Sequence, residues 1–419
     1  MRKKVIIFAL ISAICLSVAC ILWYEEMDTG DGFQKWKGDA GIKQDMGQGT
    51  VAETKQKAAK WVVTEDVQGS TMGSNLSVLG YCLLEVEEED SLFAAGRDLY
   101  TGATLYGGEN LPEQEDYSIY RRKGGIWEVF ISHPPESVEW VAKHYYWDET
   151  TISNMVYHDG FLYYSLLYDD EPDMGGDKMQ YICRIPVQGG EPEKLALAYN
   201  TFYIYNGKIY YMVLDSQKSE GWEYVYWEMD LDGTGRRALY RRQWKSTHIS
   251  FTVGGGCLYV EEADGDGITG VNLETGDRKH YSACWTFIRQ LYYENGYLYI
   301  VNEDYYSGCT ILRVDAVWGK EEQLTDSCAS AWLEGRYLYY TNYDSTVKRW
   351  TISILDLETE QMSVEVLEES EGANTRLQTV GDDLVVILSN RERDIYYRYG
   401  SNTLQLERLD RQEVPAENP

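Results

Sequence analysis

The sequence predicts an all-β chain folded as a β-propeller of four-stranded antiparallel blades, seven by preference and eight as the alternative, behind an amino-terminal transmembrane or signal segment. Three observations carry this. A hairpin motif, Asp159-Gly160-Phe161-Leu162-Tyr163-Tyr164, returns in altered form down the chain. Aromatic usage is high, with 36 tyrosines and 13 tryptophans in 419 residues, and such side chains pack well on a pleated surface. Short alternating runs are punctuated by glycine turns with no helical pattern between them.

At the amino terminus, Arg2-Lys3-Lys4 precedes an uncharged run over residues 5–23. A helix of about 19 residues at 1.5 Å each reaches roughly 28 Å, enough to cross a bilayer core. The basic end is then expected inside and the bulk of the chain outside the cytoplasmic membrane. An uncleaved anchor, a cleaved signal peptide and a lipoprotein attached through Cys20 all fit this segment. Residues 24–60 are glycine-rich and polar, with little apolar periodicity, and read as a flexible linker with room for a short helix over 51–60. Residues 61–419 are assigned to the propeller.

Residues 61–147 are strand-like but irregular, the length of one enlarged blade or two plain ones. A hairpin is expected around Lys123-Gly124-Gly125. Beyond Trp147 the repeat becomes regular. The aliphatic residue that follows each turn serves as a ruler: Leu162, Ile209, Leu258, Leu298, Leu338 and Leu384 recur at steps of roughly 40 to 50 residues, the period of propeller blades. Asp159-Gly160 calls for positive φ in a tight hairpin. The run 180–187, a turn at Gln188-Gly189-Gly190 and the run 191–196 complete one meander. Such small sheets cannot bury both faces alone, so radial stacking follows.

The combination of Asp159-Gly160-Phe161-Leu162-Tyr163-Tyr164 with Ile182-Cys183-Arg184-Ile185-Pro186 and Gly190-Glu191-Pro192-Glu193-Lys194-Leu195 resembles exported propellers of Gram-positive anaerobes, a domain of unknown function near the TolB-like and low-density-lipoprotein-receptor YWTD propellers. The likeness covers residues 151–413 and implies fold, not activity, because propellers host many chemistries. Tyr-Trp-Thr-Asp itself is absent.

A formal net charge of -30 repels phosphate backbones and excludes nucleic acid as a partner. No nucleophile elbow, zinc-protease helix, phosphate-binding glycine loop or dinucleotide fingerprint occurs. The five histidines are scattered and expected to be structural. Cys82, Cys183, Cys257, Cys284, Cys309 and Cys328 form no C-x-x-C pair and read as small buried hydrophobes; for a disulfide, Cys284 with Cys309 or Cys328 is the first choice. No cofactor is called for, except that the loop around Asp264 and Asp266 is a calcium candidate, since hard cations want clustered oxygens on a turning backbone. Candidate ligand contacts lie on loops joining second to third strands: Tyr168, Asp169, Trp222, Tyr224, Tyr305, Tyr306, Tyr343 and Asp344, where rings beside carboxylates suit a sugar or a protein surface. The expected function is a membrane-tethered extracytoplasmic binding or scaffold module for a cell-surface protein or glycan. The alternative is a glycosidase-like enzyme with two carboxylates converging in the central funnel.

Overall fold

The computed structural model describes residues 71–72, 83–133, 152–167, 179–262, 267–281, 288–304, 308–367, 374–389, 394–400 and 405–409, apart from 97, 116, 200, 219–220, 245–249 and 347. Seven antiparallel sheets follow one another along the chain, each four consecutive strands hydrogen-bonded in sequence order. Blade one spans 83–132, two 152–199, three 202–244, four 251–281, five 288–328, six 330–366 and seven 374–409. First strands touch at the junctions of blade one with two, three with four, four with five and six with seven, and blade seven meets blade one in the same way. The first strand is therefore innermost and the fourth is the outer edge. Seven is the blade number, with residues 83–132 as one enlarged blade.

The enlargement is a helix, Asp98–Tyr106, between the second and third strands of blade one. Its residues Leu99, Ala103 and Leu105 are buried with Val380, Val385 and Ile387 of blade seven, so it wedges the junction where the ring closes. The strand-like irregularity of this stretch has its cause here.

Each junction between blades holds one apolar cluster, and the hairpin motif supplies it from both faces of the strand. Leu162 and Tyr164 point to blade one, packing with Phe93 and Ile119. Tyr163, one residue out of phase, points to blade three, packing with Phe202 and Met229. This is the period-2 alternation of a strand buried on both sides. The turns demand the left-handed backbone: φ is 48° at Asp159, Asn206 and Asn295, each followed by a glycine, which is why Asp or Asn precedes Gly in the repeat.

The arginine of the Ile-x-Arg part of the motif has a mechanical role. Arg184 on the third strand of blade two pairs with Glu193 on the outer strand at 2.7 Å, lies over the Phe161 ring at 4.8 Å and donates through Nη1 to the Leu231 carbonyl of blade three at 3.0 Å. Equivalent cations clamp other junctions. Arg121 Nη1 donates to Val187 O at 3.3 Å, Arg237 Nη2 to Leu273 O at 2.9 Å and Lys279 Nζ to Ala316 O at 3.3 Å. Arg313 Nη2 donates to Glu360 Oε1 at 3.0 Å, and Arg398 Nη1 to Leu105 O at 3.1 Å, across the closure. Each serves a carbonyl or carboxylate at the blade edge, a charge-assisted bond stronger than a neutral one. Blade six breaks the pattern: at the clamp register it pairs Ile354 with Ser363.

Thr71–Met72 adds an extra short strand to the inner edge of blade three, Thr71 opposite Ile204 and Met72 opposite Tyr203. The chain's own backbone thus lies at the inner edge of the ring. Among the described residues no helix is long and apolar enough to cross a membrane. The segment proposed to do so, together with Cys20, the linker and the expected helix over 51–60, lies outside the described residues.

Candidate interaction surface

An antiparallel meander sends its first and third turns to one face of the ring and its second-to-third connections to the other. Of the residues expected on the latter face, Tyr168, Asp169, Tyr305, Tyr306, Asp264 and Asp266 lie outside the described residues. Trp222 sits on the third strand of blade three with its backbone opposite Gln217 and Trp244. Tyr224 is fully buried, its ring edge-on to Tyr199 at 5.6 Å; it packs inside the molecule instead of presenting a binding ring. Tyr343 is half-buried, against Trp350 at 5.4 Å, and its neighbour Asp344 is exposed, accepting a hydrogen bond from the Thr346 N–H at 2.8 Å. Only this last pair keeps the expected combination of an accessible ring and a carboxylate among the described residues.

The carboxylates flanking the calcium candidate are engaged elsewhere. Glu261 is 4% exposed and accepts from the Ser250 N–H at 3.1 Å and the Ile288 N–H at 3.3 Å. It ties the entry of blade four to the entry of blade five. Burial pushes its carboxyl up to about 7, against the opposing pull of those two N–H groups and Arg242. Glu262 accepts from the Tyr240 hydroxyl at 3.0 Å. Among the described residues no group of three acidic, His or Cys side chains could hold a metal ion. His133 is buried beside the Tyr164 hydroxyl at 3.1 Å, and burial with the nearby Lys194 lowers it to about 4. It is a neutral structural group at physiological pH.

A different surface stands out, and the loop-centred reading of the sequence did not include it. The outer strand of blade six, Met362–Val366, exposes Met362 at 57%, Val364 at 49% and Val366 at 54%. These alternate residues share one face, opposite Leu355, Ser353 and Thr351 of the third strand. Leu355 packs with the cluster between blades five and six, so the apolar row faces blade five at the mouth of that junction. The strand is last in its sheet and presents an unpaired edge, normally blunted by charge. The outer strands of blades two, three, four, five and seven carry such charge: Glu193 and Lys194, Arg237 and Arg241, Arg278 and Lys279, Glu321 and Glu322, Glu407 and Arg408. That of blade one has Glu128 alone, and its exposed Ile126 and Val129 face opposite sides of the strand and form no row. In blade six the one charged residue, Glu365, lies on the opposite face from the apolar row. Around the row stand Glu358 at 60% and Glu360 at 70% side-chain exposure, with Glu322 at 55% on the outer strand of blade five. Trp318, in the outer turn of blade five, is 78% exposed.

No protein-family model matches the sequence, and no curated protein matches it either. Solved structures align with the chain at low identity. A prolyl endopeptidase aligns over 83% of this chain and 50% of its own, at 10% identity and a TM-score of 0.47. TolB from Acinetobacter baumannii aligns over 70% of this chain and 75% of its own, at 13% identity and a TM-score of 0.39. The nidogen/laminin complex aligns over 59% and 89%, at 13% and 0.35. The chain spans about half the length of the prolyl endopeptidase. The blade architecture itself rests on the sheets of this chain.

Proposed function

We propose that the chain is a binding or scaffold module, held outside the cytoplasmic membrane by its amino-terminal segment, and that its ligand is a protein segment bound by strand addition at the outer edge of blade six. The observation that carries this is the row Met362, Val364 and Val366, exposed along an unpaired sheet edge. Strand addition draws affinity from main-chain hydrogen bonds and specificity from alternate side chains. The partner strand is extended, apolar at every second position, and basic between, since Glu365 lies on the face those intervening residues meet and Glu322, Glu358 and Glu360, paired with Arg313 and Arg336, flank the row on a chain of net charge -30. A glycan would want flat aromatic platforms, and this edge is aliphatic.

The glycosidase alternative draws no support from the inner edge of the ring. Thr71–Met72 pairs there with blade three, where a funnel substrate would have to lie. The inner-strand carboxylates Glu85, Glu294 and Glu334 sit at or beside the turn ends of their strands.

The test is binding of a fluorescent peptide of alternating valine and lysine to the full chain, read by anisotropy. Binding is expected to fall at least tenfold with Val364→Lys and with a peptide carrying glutamate for lysine. Equal binding by the wild type and Val364→Lys, or by both peptides, would refute the site. A glycan array run in parallel separates the carbohydrate reading, which predicts binding that Val364→Lys leaves unchanged.

A further inference from the structure

Blade five holds a pair of cysteines whose arrangement is independent of the surface proposed above. Cys309 on its third strand and Cys328 at the end of its outer strand are direct partners in the antiparallel ladder. Both are buried, at 5% exposure each, and both are thiols in this structure. The other described cysteines are single on their strands: Cys183 faces Tyr164 and Lys194, and Cys257 faces Gly254 and Asn272. Directly opposed residues in an antiparallel pair have Cα atoms about 4.5 to 5.5 Å apart, within the roughly 4.4 to 6.8 Å that a disulfide accepts. The ladder register alone therefore satisfies the backbone requirement. The two side chains are also in hydrogen-bonding contact with each other.

A cation completes the group. Arg289, on the first strand of the same blade, approaches Cys309 Sγ with Nη1 at 3.6 Å while donating from the same nitrogen to Ala329 O at 3.1 Å. A guanidinium beside a sulfur favours the thiolate, the reactive form in thiol–disulfide exchange. On Cys328 the hydrogen bond with the neighbouring Cys309 and burial act the other way and raise it, outweighing the pull of the same Arg289. Cys309 is thus the nucleophile and Cys328 the resolving thiol.

We infer that Cys309 and Cys328 form a redox site that closes to a cross-strand disulfide when the chain meets a low-molecular-weight disulfide oxidant. The Cys309 thiolate attacks one sulfur of the oxidant, R–S–S–R, and expels RS⁻. The Cys328 thiolate then attacks Cys309 Sγ in the mixed disulfide and expels the second RS⁻. Two protons leave the two cysteines, two electrons pass to the oxidant, and the products are the protein disulfide and two RSH. The bond fastens the outer strand of blade five immediately before Ala329 and Ser330 lead into blade six. Being an outer strand, it opens to the reagent at smaller cost than the interior strands.

The experiment treats the purified full-length protein with glutathione disulfide, blocks remaining thiols with a maleimide after denaturation, and maps peptides by mass spectrometry. A peptide linking 309 to 328 and lighter by two hydrogens is the expected product. With Cys328→Ser, Cys309 is expected to stop at the glutathione adduct. With Arg289→Gln, the link is expected to form severalfold more slowly while the final extent is unchanged, a kinetic effect that packing alone would not produce. Recovery of Cys309 and Cys328 as maleimide adducts after exhaustive oxidation of the wild type would overturn the inference. A link from Cys284 to either one would overturn it as well.

Discussion

Replacing Glu261 by glutamine tests the burial argument at the junction of blades four and five. In the unfolded chain the carboxyl titrates near 4.5, and in the fold near 7. Between those values the unfolded chain has released the proton and the fold has kept it. The folded state binds more protons there, so stability falls as pH rises. The penalty is absent below 4.5, grows to about 7, and is constant above. At about 1.4 kcal/mol per pH unit, it reaches about 3 kcal/mol, a sizeable part of a typical total stability of about 5 to 15 kcal/mol. Glutamine keeps the shape and cannot ionise. It also loses one acceptor for the Ser250 and Ile288 N–H groups, an offset that does not vary with pH. The assay is urea denaturation of wild type and Glu261→Gln from pH 4 to pH 8, plotted as a difference. That difference should move in favour of the variant by about 3 kcal/mol across the window. His133 contributes an opposite slope, because the unfolded chain takes up a proton below about 6.5 that the buried imidazole refuses until about 4; it cancels in the difference. A flat difference curve, or one of opposite sign, would refute the reasoning.

Two other substitutions probe the ring. Arg398→Ala removes the bond to Leu105 O, the pairing with Glu407 at 2.9 Å and the contact over the Tyr106 ring. It should cost about 1.5 to 3 kcal/mol, seen as a lower thermal midpoint that Arg398→Lys restores in part. Gly254→Ala would drive a Cβ into the Tyr293 ring, which stacks on Tyr259 at 5.5 Å; a loss of about 1 to 3 kcal/mol is expected, relieved when Tyr293→Leu is added, and an unaffected midpoint in the single variant would count against the tight approach.

Much of the architecture was legible because the ruler residues answer to one physical demand. Leu162, Ile209, Leu258, Leu298, Leu338 and Leu384 are all at most 1% exposed, so their recurrence marks the same place in successive blades. The first blade escaped that ruler because the helix Asp98–Tyr106 interrupts its meander. The motif arginine was visible as a letter, but its clamp depends on a carbonyl in the next blade, which local spacing does not disclose. Tyr224 and Tyr343 look alike in sequence, each near a strand end. One is sealed by Tyr199 and the other is left half-open, a difference set by tertiary neighbours. The blade-six row was readable as alternation in Met362-Ser363-Val364-Glu365-Val366, yet alternation reveals only that residues share a side and not whether anything covers that side. Cys309 and Cys328 meet through a ladder with register shifts beside them, which counting from the turn would misplace.

The four meander strands of each blade follow one another along the chain, and among the described residues blade seven meets blade one through the helix wedge, the Arg398 clamp and the bond from Gln378 Nε2 to Leu83 O at 2.6 Å. Every other pair of neighbours is also joined by the polypeptide. The molecule is in this sense a split washer, with one seam that can part without tearing any sheet. Tension applied across residues 83 and 409 would load that seam before the ladders.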